Sequence, residues 1–277
     1  MKLSCLPVSY FKEIINGDMS IGEWAHQAAT IGLDAIDISI ILFKNRSTAY
    51  LKKMREEIED AGMHIAVMNT YPDFTHPDPV ERKRQLVQLK RDIASANVLG
   101  AEMVRVTAGQ AHPQTNRKQG IAWAIEGLMG AVDTSEREGV KLVFENHSKP
   151  GAWEYYDFCY PPDIFLEIAG RLTDTPIRIL FDTANPVAYG HDPLSVLHQV
   201  IDQLLCVHAA DTQTQGVFKP VLIGTGAVPF SDIFSVLKQS GYDGWISIEE
   251  ASGLGETGVV EAVKFVRRAW KEAGGTL

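Results

Sequence analysis

Residues 139–147, GVKLVFENH, run from a glycine through an apolar segment to an abruptly polar end. Glycine most readily ends a helix in the left-handed conformation, so Gly139 predicts a helix end just before the chain reverses. The apolar run at 142–144 predicts a short strand that is buried on both faces. The acid Glu145 ends that run, and a buried strand that finishes on an acid needs a physical reason.

The same unit recurs along the whole chain. Further glycines precede strand-like runs at Gly32, Gly62, Gly100 and Gly241. Eight apolar or β-branched runs predict strands, at Lys2 to Leu6, Ala35 to Ile40, His64 to Met68, Met103 to Thr107, Lys141 to Glu145, Ile177 to Asp182, Leu204 to His208 and Trp245 to Glu249. The longer amphipathic segments between them, such as 47–62, 78–100 and 256–274, predict helices.

Strand and helix units that alternate in this way indicate a parallel α/β architecture. The length of 277 residues is close to the roughly 250 residues of a typical (β/α)8 barrel. Because no linker-like segment divides the chain, we expect one domain over residues 1–277, a single (β/α)8 TIM barrel. An open doubly wound sheet is the alternative, but the glycine fingerprint of a dinucleotide-binding fold does not follow the first strand.

The composition narrows the classes of protein and partner. The chain is 45% hydrophobic and has no apolar run near the roughly 20 residues that span a bilayer, so we expect no membrane partner. Residues 1–11 lack the features of a signal peptide, which favours a cytoplasmic location. The net charge of −9 repels phosphate backbones, so we expect small molecules rather than nucleic acid as partners. Three scattered cysteines predict neither a disulfide framework nor a paired-cysteine zinc site.

Polar residues end each of the last four predicted strands. They are Glu145, Asp182, His208 and Glu249, and each directly follows an apolar run. A single acid in such a place is usually a solvated rim residue or a helix cap. In a barrel, however, the carboxyl ends of the strands converge on one face, where three carboxylates repel one another unless a cation lies between them. Three carboxylates and an imidazole therefore predict a site for one divalent metal ion.

Two further expectations rest on the alternation of side chains along a strand. Glu249 and Glu250 must point to opposite faces of their strand, and we expect Glu249 to face the site. His147 lies two residues after Glu145, so in an extended segment both side chains face the same way. His147 is therefore either a proton carrier beside the metal or a support that is bonded to the surrounding loop.

The strand ends, taken together, resemble those of one known superfamily. The segments that carry the resemblance are VFENH, LFDTAN, VHAADT and GYDGWISIEE, with GTGAVPF before the last of them. They resemble the sugar phosphate isomerase/epimerase superfamily with a xylose-isomerase-like barrel, which includes ketose 3-epimerases, hydroxypyruvate isomerases, inosose dehydratases, 3-dehydroshikimate dehydratases and type IV AP endonucleases. The resemblance implies one divalent metal ion, Mn2+ in the first place and Mg2+, Co2+ or Zn2+ otherwise. It also implies that Glu145, Asp182, His208 and Glu249 are its ligands and that the two glutamates move protons.

Further residues are expected near the substrate. Members of the superfamily commonly have a histidine three residues after the aspartate of strand six, whereas this chain has Asn185, which can hydrogen-bond a hydroxyl but cannot exchange a proton. Asn69, at the end of strand three, is expected to bind a hydroxyl group of the substrate. Lys219, after strand seven, is expected to bind a phosphate, carboxylate or hydroxyl group. The Glu-x-His pattern of His147 resembles the 3-dehydroshikimate dehydratases, in which this histidine is close to the substrate. The aromatic loop at 152–162 is expected to form a lid, a subunit contact or packing over the rim.

These residues predict a divalent-metal-dependent isomerase or epimerase that acts on a sugar or sugar phosphate. One glutamate removes a proton beside the carbonyl and the other returns one, through an enediolate. The alternative is a metal-dependent dehydratase of a cyclic keto-polyol or keto-acid that uses His147. A DNA-repair endonuclease is a remote alternative, since its three-zinc site needs more histidines, and a noncatalytic metal-binding or sugar-binding barrel is the non-enzymatic one. We expect a carbohydrate or cyclic polyol as partner, and the resemblance implies a homodimer or homotetramer.

Overall fold

The computed structural model describes residues 1–276 of the chain. Its strands are β1 Lys2–Leu6, β2 Ile36–Ser39, β3 Ile65–Asn69, β4 Met103–Val106, β5 Lys141–Glu145, β6 Arg178–Asp182, β7 Leu204–Ala209 and β8 Trp245–Glu249. Neighbouring strands pair in parallel, and β8 pairs with β1. The backbone N–H groups of Asp34 and Ala35, which lead into β2, donate to the carbonyl of Leu3 at 2.8 and 3.4 Å, so the sheet closes. The predicted (β/α)8 barrel is confirmed, and each strand lies within one or two residues of its predicted bounds.

Helices surround this barrel. Within residues 1–276 they are α1 Phe11–Asn16, α2 Ile21–Ile31, α3 Thr48–Asp60, α4 Pro79–Leu99, α5 Arg117–Met129, α6 Val132–Glu138, α7 Pro162–Leu172, α8 Ala184–Tyr189, α9 Pro193–Val200, α10 Phe230–Gln239 and α11 Gly255–Glu272. None of these helices combines the length and the apolar character that crossing a bilayer requires.

Local sequence signals set several of the helix ends. The side chain of Ser20 accepts a hydrogen bond from the N–H of Glu23 at 3.0 Å, and the carboxylate of Glu23 accepts one from the N–H of Ser20 at 2.7 Å. This reciprocal pair satisfies two N–H groups that the first turn of α2 leaves without helical partners. Gly139 has a φ of 69° at the end of α6, a left-handed conformation that glycine adopts without strain.

The alternation of side chains along each strand decides what lies inside the barrel. Val143, Leu180 and Cys206 lie two residues before the polar ends of β5, β6 and β7, and they belong to a small buried apolar cluster. A much larger apolar cluster involves both strands and helices. The polar ends of β5, β6 and β7 therefore lie above a buried apolar cluster. The register that pairs Asp182 with His208 places these two residues side by side.

Candidate active site

Four strand ends meet at the carboxyl-terminal face of the barrel. Glu145, Asp182, His208 and Glu249 each offer one ligand atom, and these atoms all lie within 4.8 Å of one another. The Glu249 side chain is 30% exposed, whereas the side chains of Glu145 and His208 are buried. Glu250 is buried and lies outside this group, and its Oε1 accepts a hydrogen bond from the N–H of Ser252 at 2.9 Å. The structure thus brings together the four residues that the sequence selected, with Glu249 rather than Glu250 facing the site.

The imidazole of His208 lies between two of the carboxylates. Its Nδ1 is 2.8 Å from Oε1 of Glu145 and 2.9 Å from Oε2 of Glu249. Asp182 is oriented by the start of α8, since its Oδ1 accepts hydrogen bonds from the N–H groups of Ala184 at 2.9 Å and Asn185 at 2.6 Å. Strand ends and one helix start therefore hold the four side chains in place.

The electrostatics of this group are dominated by buried charge. Burial raises the pKa of Glu145, but the charges of Arg105 and His208 outweigh it and lower that pKa to about 2. Burial and the charges of Glu249 and Glu145 raise the pKa of Asp182 well above its ordinary value. Burial lowers the pKa of His208, but the two glutamates outweigh it and raise that pKa well above its ordinary value. Without a cation the group therefore holds protons that a metal ion would displace.

The donor set and its spacing fit a divalent cation. Metal to ligand bonds of about 2.0–2.3 Å place opposite ligands about 4–4.6 Å apart. The 4.8 Å within which the four ligand atoms lie is close to that value. The buried atom His208 Nε2 has no hydrogen-bond partner among the described residues, and Glu145 Oε2 accepts no hydrogen bond although Nε of Arg105 lies 3.1 Å from it. Oxygen-rich sites with one imidazole suit Mn2+ or Mg2+, and they also accept Zn2+ or Co2+.

Arg105 of β4 is a site residue that the strand-end pattern does not predict. Its Nε lies 3.1 Å from Oε2 of Glu145, and both side chains are almost fully buried. The same Nε donates a hydrogen bond to Oδ1 of Asn69 at 2.9 Å, and Nη1 donates one to the carbonyl of Thr70 at 2.9 Å. An arginine inside the apolar run MVRV is the signal that would have indicated it, because a buried cation requires a buried anion.

His147 lies at the wall of the cavity, next to a second residue that the sequence pattern does not predict. Its Nδ1 is 3.3 Å from Oδ2 of Asp157, which is fully buried. Burial raises the pKa of Asp157, although its contact with His147 lowers it. The imidazole also packs against the rings of Tyr71 and Trp153, at centroid distances of 6.2 and 5.9 Å. The carboxylate and the two rings hold the imidazole in one orientation.

Asn146 links two strands that carry candidate ligands. Its Nδ2 donates a hydrogen bond to the carbonyl of Asp182 at 2.9 Å, and its Oδ1 accepts one from the N–H of Asp182 at 2.6 Å. One side chain thus pairs with both the N–H and the C=O of Asp182, so neither of these buried backbone groups is left without a partner. Asn146 therefore aligns the end of β5 with the end of β6.

A further carboxylate, Asp37 of β2, is buried inside the barrel. Its Oδ2 accepts hydrogen bonds from the hydroxyls of Ser4, at 3.2 Å, and of Ser247, and its Oδ1 accepts one from the N–H of Val67 at 3.0 Å. Burial raises the pKa of Asp37 to about 6, although these hydrogen bonds and the charge of His208 lower it. Asp37 therefore changes its charge in a mildly acidic range of pH.

The three predicted substrate contacts lie in different surroundings. Asn185 borders the cavity beside Asp182. Asn69 is buried outside the cavity wall, and its amide donates to the carbonyl of Ile38 at 3.1 Å and accepts from Arg105. Lys219 is exposed, and it also lies outside the residues that line the cavity. Substrate binding by all three residues stays a prediction. In the structure the side chain of Asn69 hydrogen-bonds to Ile38 and Arg105.

A cavity of about 680 Å³ opens above the four strand ends. Asp182 and Glu249 border it directly, whereas Glu145 and His208 lie behind its wall. Residues 148–153, the first half of the loop after β5, also line it. Of the aromatic loop at 152–162, only Ala152 and Trp153 line the cavity, so its role as a lid, a subunit contact or packing over the rim stays a prediction.

The loop after β7 is shaped by the carboxylate of Asp211. Its two oxygens accept hydrogen bonds from four backbone N–H groups, those of Thr212 at 2.9 Å, Gly224 at 2.9 Å, Gly226 at 2.8 Å and Val228 at 3.2 Å. Burial nevertheless raises the pKa of this carboxyl group. Asp211 therefore ties the two ends of the loop at 212–228 together at the edge of the cavity.

The fold and this strand-end geometry agree with one protein family. A family model for the xylose isomerase-like TIM barrel matches residues 25–269. The chain belongs to the xylose isomerase-like TIM barrel family. The resemblance that the strand ends predicted is therefore confirmed.

Similar proteins include both epimerases and a dehydratase. L-ribulose-5-phosphate 3-epimerase UlaE of Salmonella paratyphi C is 26% identical over 280 residues, which cover 97% of this chain and 94% of that protein. The structure of D-psicose 3-epimerase from Clostridium cellulolyticum H10 has a TM-score of 0.79 at 13% identity and covers 98% of this chain and 99% of its own. The probable 3-DHS dehydratase AsbF from Bacillus anthracis has a TM-score of 0.77 at 13% identity, with coverages of 96% and 99%. At these identities the two solved structures share the fold with this chain.

Proposed function

We propose that the protein is a divalent-metal-dependent isomerase or epimerase of a sugar or sugar phosphate. The observation that carries the proposal is the convergence of three carboxylates and one imidazole beside a cavity of about 680 Å³. The names of the similar epimerases support the same class of reaction. Cytoplasmic location and assembly into a homodimer or homotetramer stay predictions.

In this proposal Glu145, Asp182, His208 and Glu249 hold the metal ion, with Mn2+ as the first choice. When bound, a divalent cation polarises the carbonyl of a ketose, makes the neighbouring C–H bond more acidic and stabilises the enediolate. Glu249 is partly exposed and borders the cavity, so we assign it the proton transfer nearest to the solvent. Glu145 is the proposed second proton carrier, and its burial beside Arg105 requires the substrate to reach down to the strand ends.

A dehydratase is the second candidate, and one observation favours it. His147 borders the cavity, and the carboxylate of Asp157 lies 3.3 Å from its Nδ1. An imidazole that is oriented by a carboxylate is a common proton carrier. If the enediolate loses a β-hydroxyl group, His147 would donate the proton to that leaving group.

Solvent exchange tests the proposed reaction directly. Protein loaded with Mn2+ is incubated with a panel of ketoses, ketose phosphates and cyclic keto-acids in D2O, and NMR follows both deuterium incorporation and loss of water. Deuterium at the carbon next to the carbonyl, with an epimeric product, supports the epimerase. Formation of an unsaturated product supports the dehydratase. Bound metal without exchange in any compound would favour the noncatalytic binding barrel.

A pair of neighbouring acids provides a matched control. Glu249→Gln should lower the exchange rate by at least about 100-fold, the typical contribution of one general base. Glu250→Gln should leave the rate within about threefold, because Glu250 lies on the opposite face of β8 and its Oε1 can still accept from Ser252. Metal content and thermal stability are measured for both variants. Unchanged turnover in Glu249→Gln would refute the role of that residue.

A further inference from the structure

The side chains that contact the imidazole of His147 come from two loops. Asp157 and Trp153 belong to the loop after β5, and Tyr71 belongs to the loop after β3. Loops are more mobile than the strands that they connect, so their side chains are held in place only where the loop backbone is itself fixed. The contacts that fix these two loops therefore decide where the imidazole lies.

The loop after β4 fixes the backbone around Asp157. Gln110 pairs with Asp157 in an isolated antiparallel bridge. The N–H of Phe158 donates to the carbonyl of the residue before Gln110 at 2.7 Å, and the N–H of the residue after Gln110 donates to the carbonyl of Tyr156 at 2.8 Å. The backbone is thus held on both sides of the carboxylate that contacts His147.

The side chain of Gln110 fixes a second part of the same loop. Its Oε1 accepts hydrogen bonds from the N–H of Glu154 at 2.9 Å and from the N–H of Tyr155 at 3.2 Å. These two residues directly follow Trp153, whose ring packs edge-on against the imidazole of His147. The backbone of Gln110 therefore supports one contact of the imidazole, and its side chain supports another.

The carboxylate of Asp73 orients the amide of Gln110. Asp73 is buried, its Oδ2 accepts a hydrogen bond from Nε2 of Gln110 at 3.0 Å, and its Oδ1 accepts one from the N–H of Gln110 at 2.9 Å. The same Oδ2 lies 2.8 Å from Nε2 of His112. An ionised carboxylate only accepts hydrogen bonds, so the amide must turn its NH2 group toward Asp73 and its oxygen toward the loop after β5.

The loop after β3 is held by the same segment. The hydroxyl of Thr75 donates to the carbonyl of Gln110 at 2.7 Å, and Asp73 lies only two residues after Tyr71. Gly109 has a φ of 124°, and a Cβ atom there would overlap the side chains of Thr75 and Asp73. The two loops thus meet so closely that only glycine fits between them. All three contacts of His147 depend on the pair of Asp73 and Gln110.

We propose that Gln110 is a positioning residue, which Asp73 orients and which holds Trp153 and Asp157 against the imidazole of His147. The effect on turnover rests on the proposed function, whereas the placement of the imidazole does not. A displacement of about 1 Å at a reacting centre can cost about 100-fold in rate. Loss of the Gln110 amide should therefore lower kcat/KM by at least about tenfold.

Gln110→Met removes the amide and keeps the length of the side chain. The variant should fold, because Glu154 is exposed and Tyr155 is half-buried, so water can reach their N–H groups. Protein labelled with 5-fluorotryptophan and 15N-histidine is compared by NMR, and Trp153→Phe and His147→Gln assign the two signals. We expect the signals of Trp153 and His147 to shift, while those of the other four tryptophans stay unchanged.

The most reactive compound of the ketose panel gives kcat/KM for the same proteins by solvent deuterium exchange. Gln215→Met is the matched control, because it removes a glutamine amide that donates to the carbonyl of Gly190 at 3.1 Å in an exposed part of the loop after β7. This control should change neither the two NMR signals nor kcat/KM.

An exchange of the two side chains tests the orienting role of Asp73. Gln110→Glu alone places two carboxylates against each other, and their repulsion should shift both signals and lower kcat/KM by at least about tenfold. Asp73→Asn combined with Gln110→Glu again pairs one amide with one carboxylate, and His112 can accept from the new amide in its other tautomer. The double variant should return both signals and bring kcat/KM to within about threefold of wild type.

The outcomes separate positioning from stabilisation of the loop. Unchanged signals of Trp153 and His147 in Gln110→Met would overturn the proposal, even if the melting temperature falls. Failure of the double variant to return these signals would overturn the role of Asp73. If no compound exchanges in any of the proteins, the proposed function fails, and the two signals still decide whether Gln110 positions the imidazole.

Discussion

Nε of Arg105 lies 3.1 Å from Oε2 of Glu145, in a pair that is almost fully buried at the strand ends. Removing water from both groups is unfavourable, so each charge depends on the other. Burial lowers the pKa of Arg105, but the charge of Glu145 outweighs it and the pKa is raised. Arg105 thereby keeps Glu145 ionised, as its proposed role as a metal ligand requires.

Loss of this cation should be strongly destabilising. Arg105→Met leaves the buried Glu145 carboxylate with the His208 imidazole as its remaining basic partner, and the free energy of unfolding should fall by about 3 kcal/mol. Adding Glu145→Gln should restore at least half of that loss. Urea unfolding at pH 7 without metal measures both. Arg84→Met, in an exposed pair with Glu81, should cost less than about 1 kcal/mol, and an equal loss in the two single variants would contradict the prediction.

Metal affinity should increase with pH. The raised pKa values of Asp182 and His208 mean that the metal-free site holds protons, which a cation must displace. Affinity should therefore rise about tenfold per pH unit for each proton released. Mn2+ titration calorimetry in buffers of different ionisation enthalpy counts these protons. The control variant Glu250→Gln should bind Mn2+ with the same pH dependence as wild type. A wild-type affinity for Mn2+ that does not vary between pH 6 and 8 would refute the prediction.

The buried carboxyl group of Asp37 should make stability fall as pH rises from about 4 to 6. Burial raises its pKa to about 6, so the folded state binds this proton more tightly than the unfolded state does in that window. The full effect is about 3 kcal/mol, from about two units at 1.36 kcal/mol each. Asp37→Asn should remove this part of the pH dependence in urea unfolding at pH 4, 5, 6 and 7. In the control variant Asp18→Asn, at an exposed position, the free energy of unfolding should change with pH as it does in wild type.

The role of His147 should be visible through Asp157. If His147 moves a proton, His147→Gln should lower turnover by at least about 100-fold, and Asp157→Asn should lower it by at least about tenfold. Metal affinity should change by less than about threefold in both variants, because neither residue belongs to the four candidate ligands. Steady-state kinetics and calorimetry give the two quantities. Turnover within threefold of wild type in His147→Gln would instead assign His147 a supporting role.

The loop after β7 should tolerate no side chain at Gly226. A Cβ atom there would overlap the carbonyl oxygen of Thr212 and Oδ1 of Asp211. Gly226→Ala should therefore displace the loop, weaken substrate binding and lower the melting temperature. Gly170→Ala in α7 has open space around the new atom and should stabilise the helix by about 0.5–1 kcal/mol. Thermal denaturation compares the two, and equal effects would argue against the close contact.

Periodic patterns made the strands and the four strand-end residues predictable. Apolar runs of fixed length, punctuated by glycine, specify a parallel barrel because the same local unit recurs. The alternation of side chains predicted that Glu249 and Glu250 point to opposite faces, and the structure places Glu249, as expected, with the other three residues. The roles of these residues in metal binding and proton transfer stay predictions.

Contacts between distant segments could not be read from those patterns. Arg105 and Glu145 are 40 positions apart, and only strand pairing and inward orientation bring them together. Asp157 reaches His147 because the loop after β5 folds back on itself. Asn69 was expected to contact substrate, but its amide is engaged by Ile38 and Arg105, which no local signal indicates.

The sequence by itself determined the repeating unit of strand and helix, and with it the barrel. It also determined the four strands that end in polar residues, the first of which lies in GVKLVFENH. It did so because backbone periodicity and helix capping depend on neighbours within a few positions. The tertiary structure decided which charges pair, which strand-end residues border the cavity and which lie behind it. Those properties arise from closure of the sheet, which places residues from opposite strands within contact distance only after the whole barrel has formed.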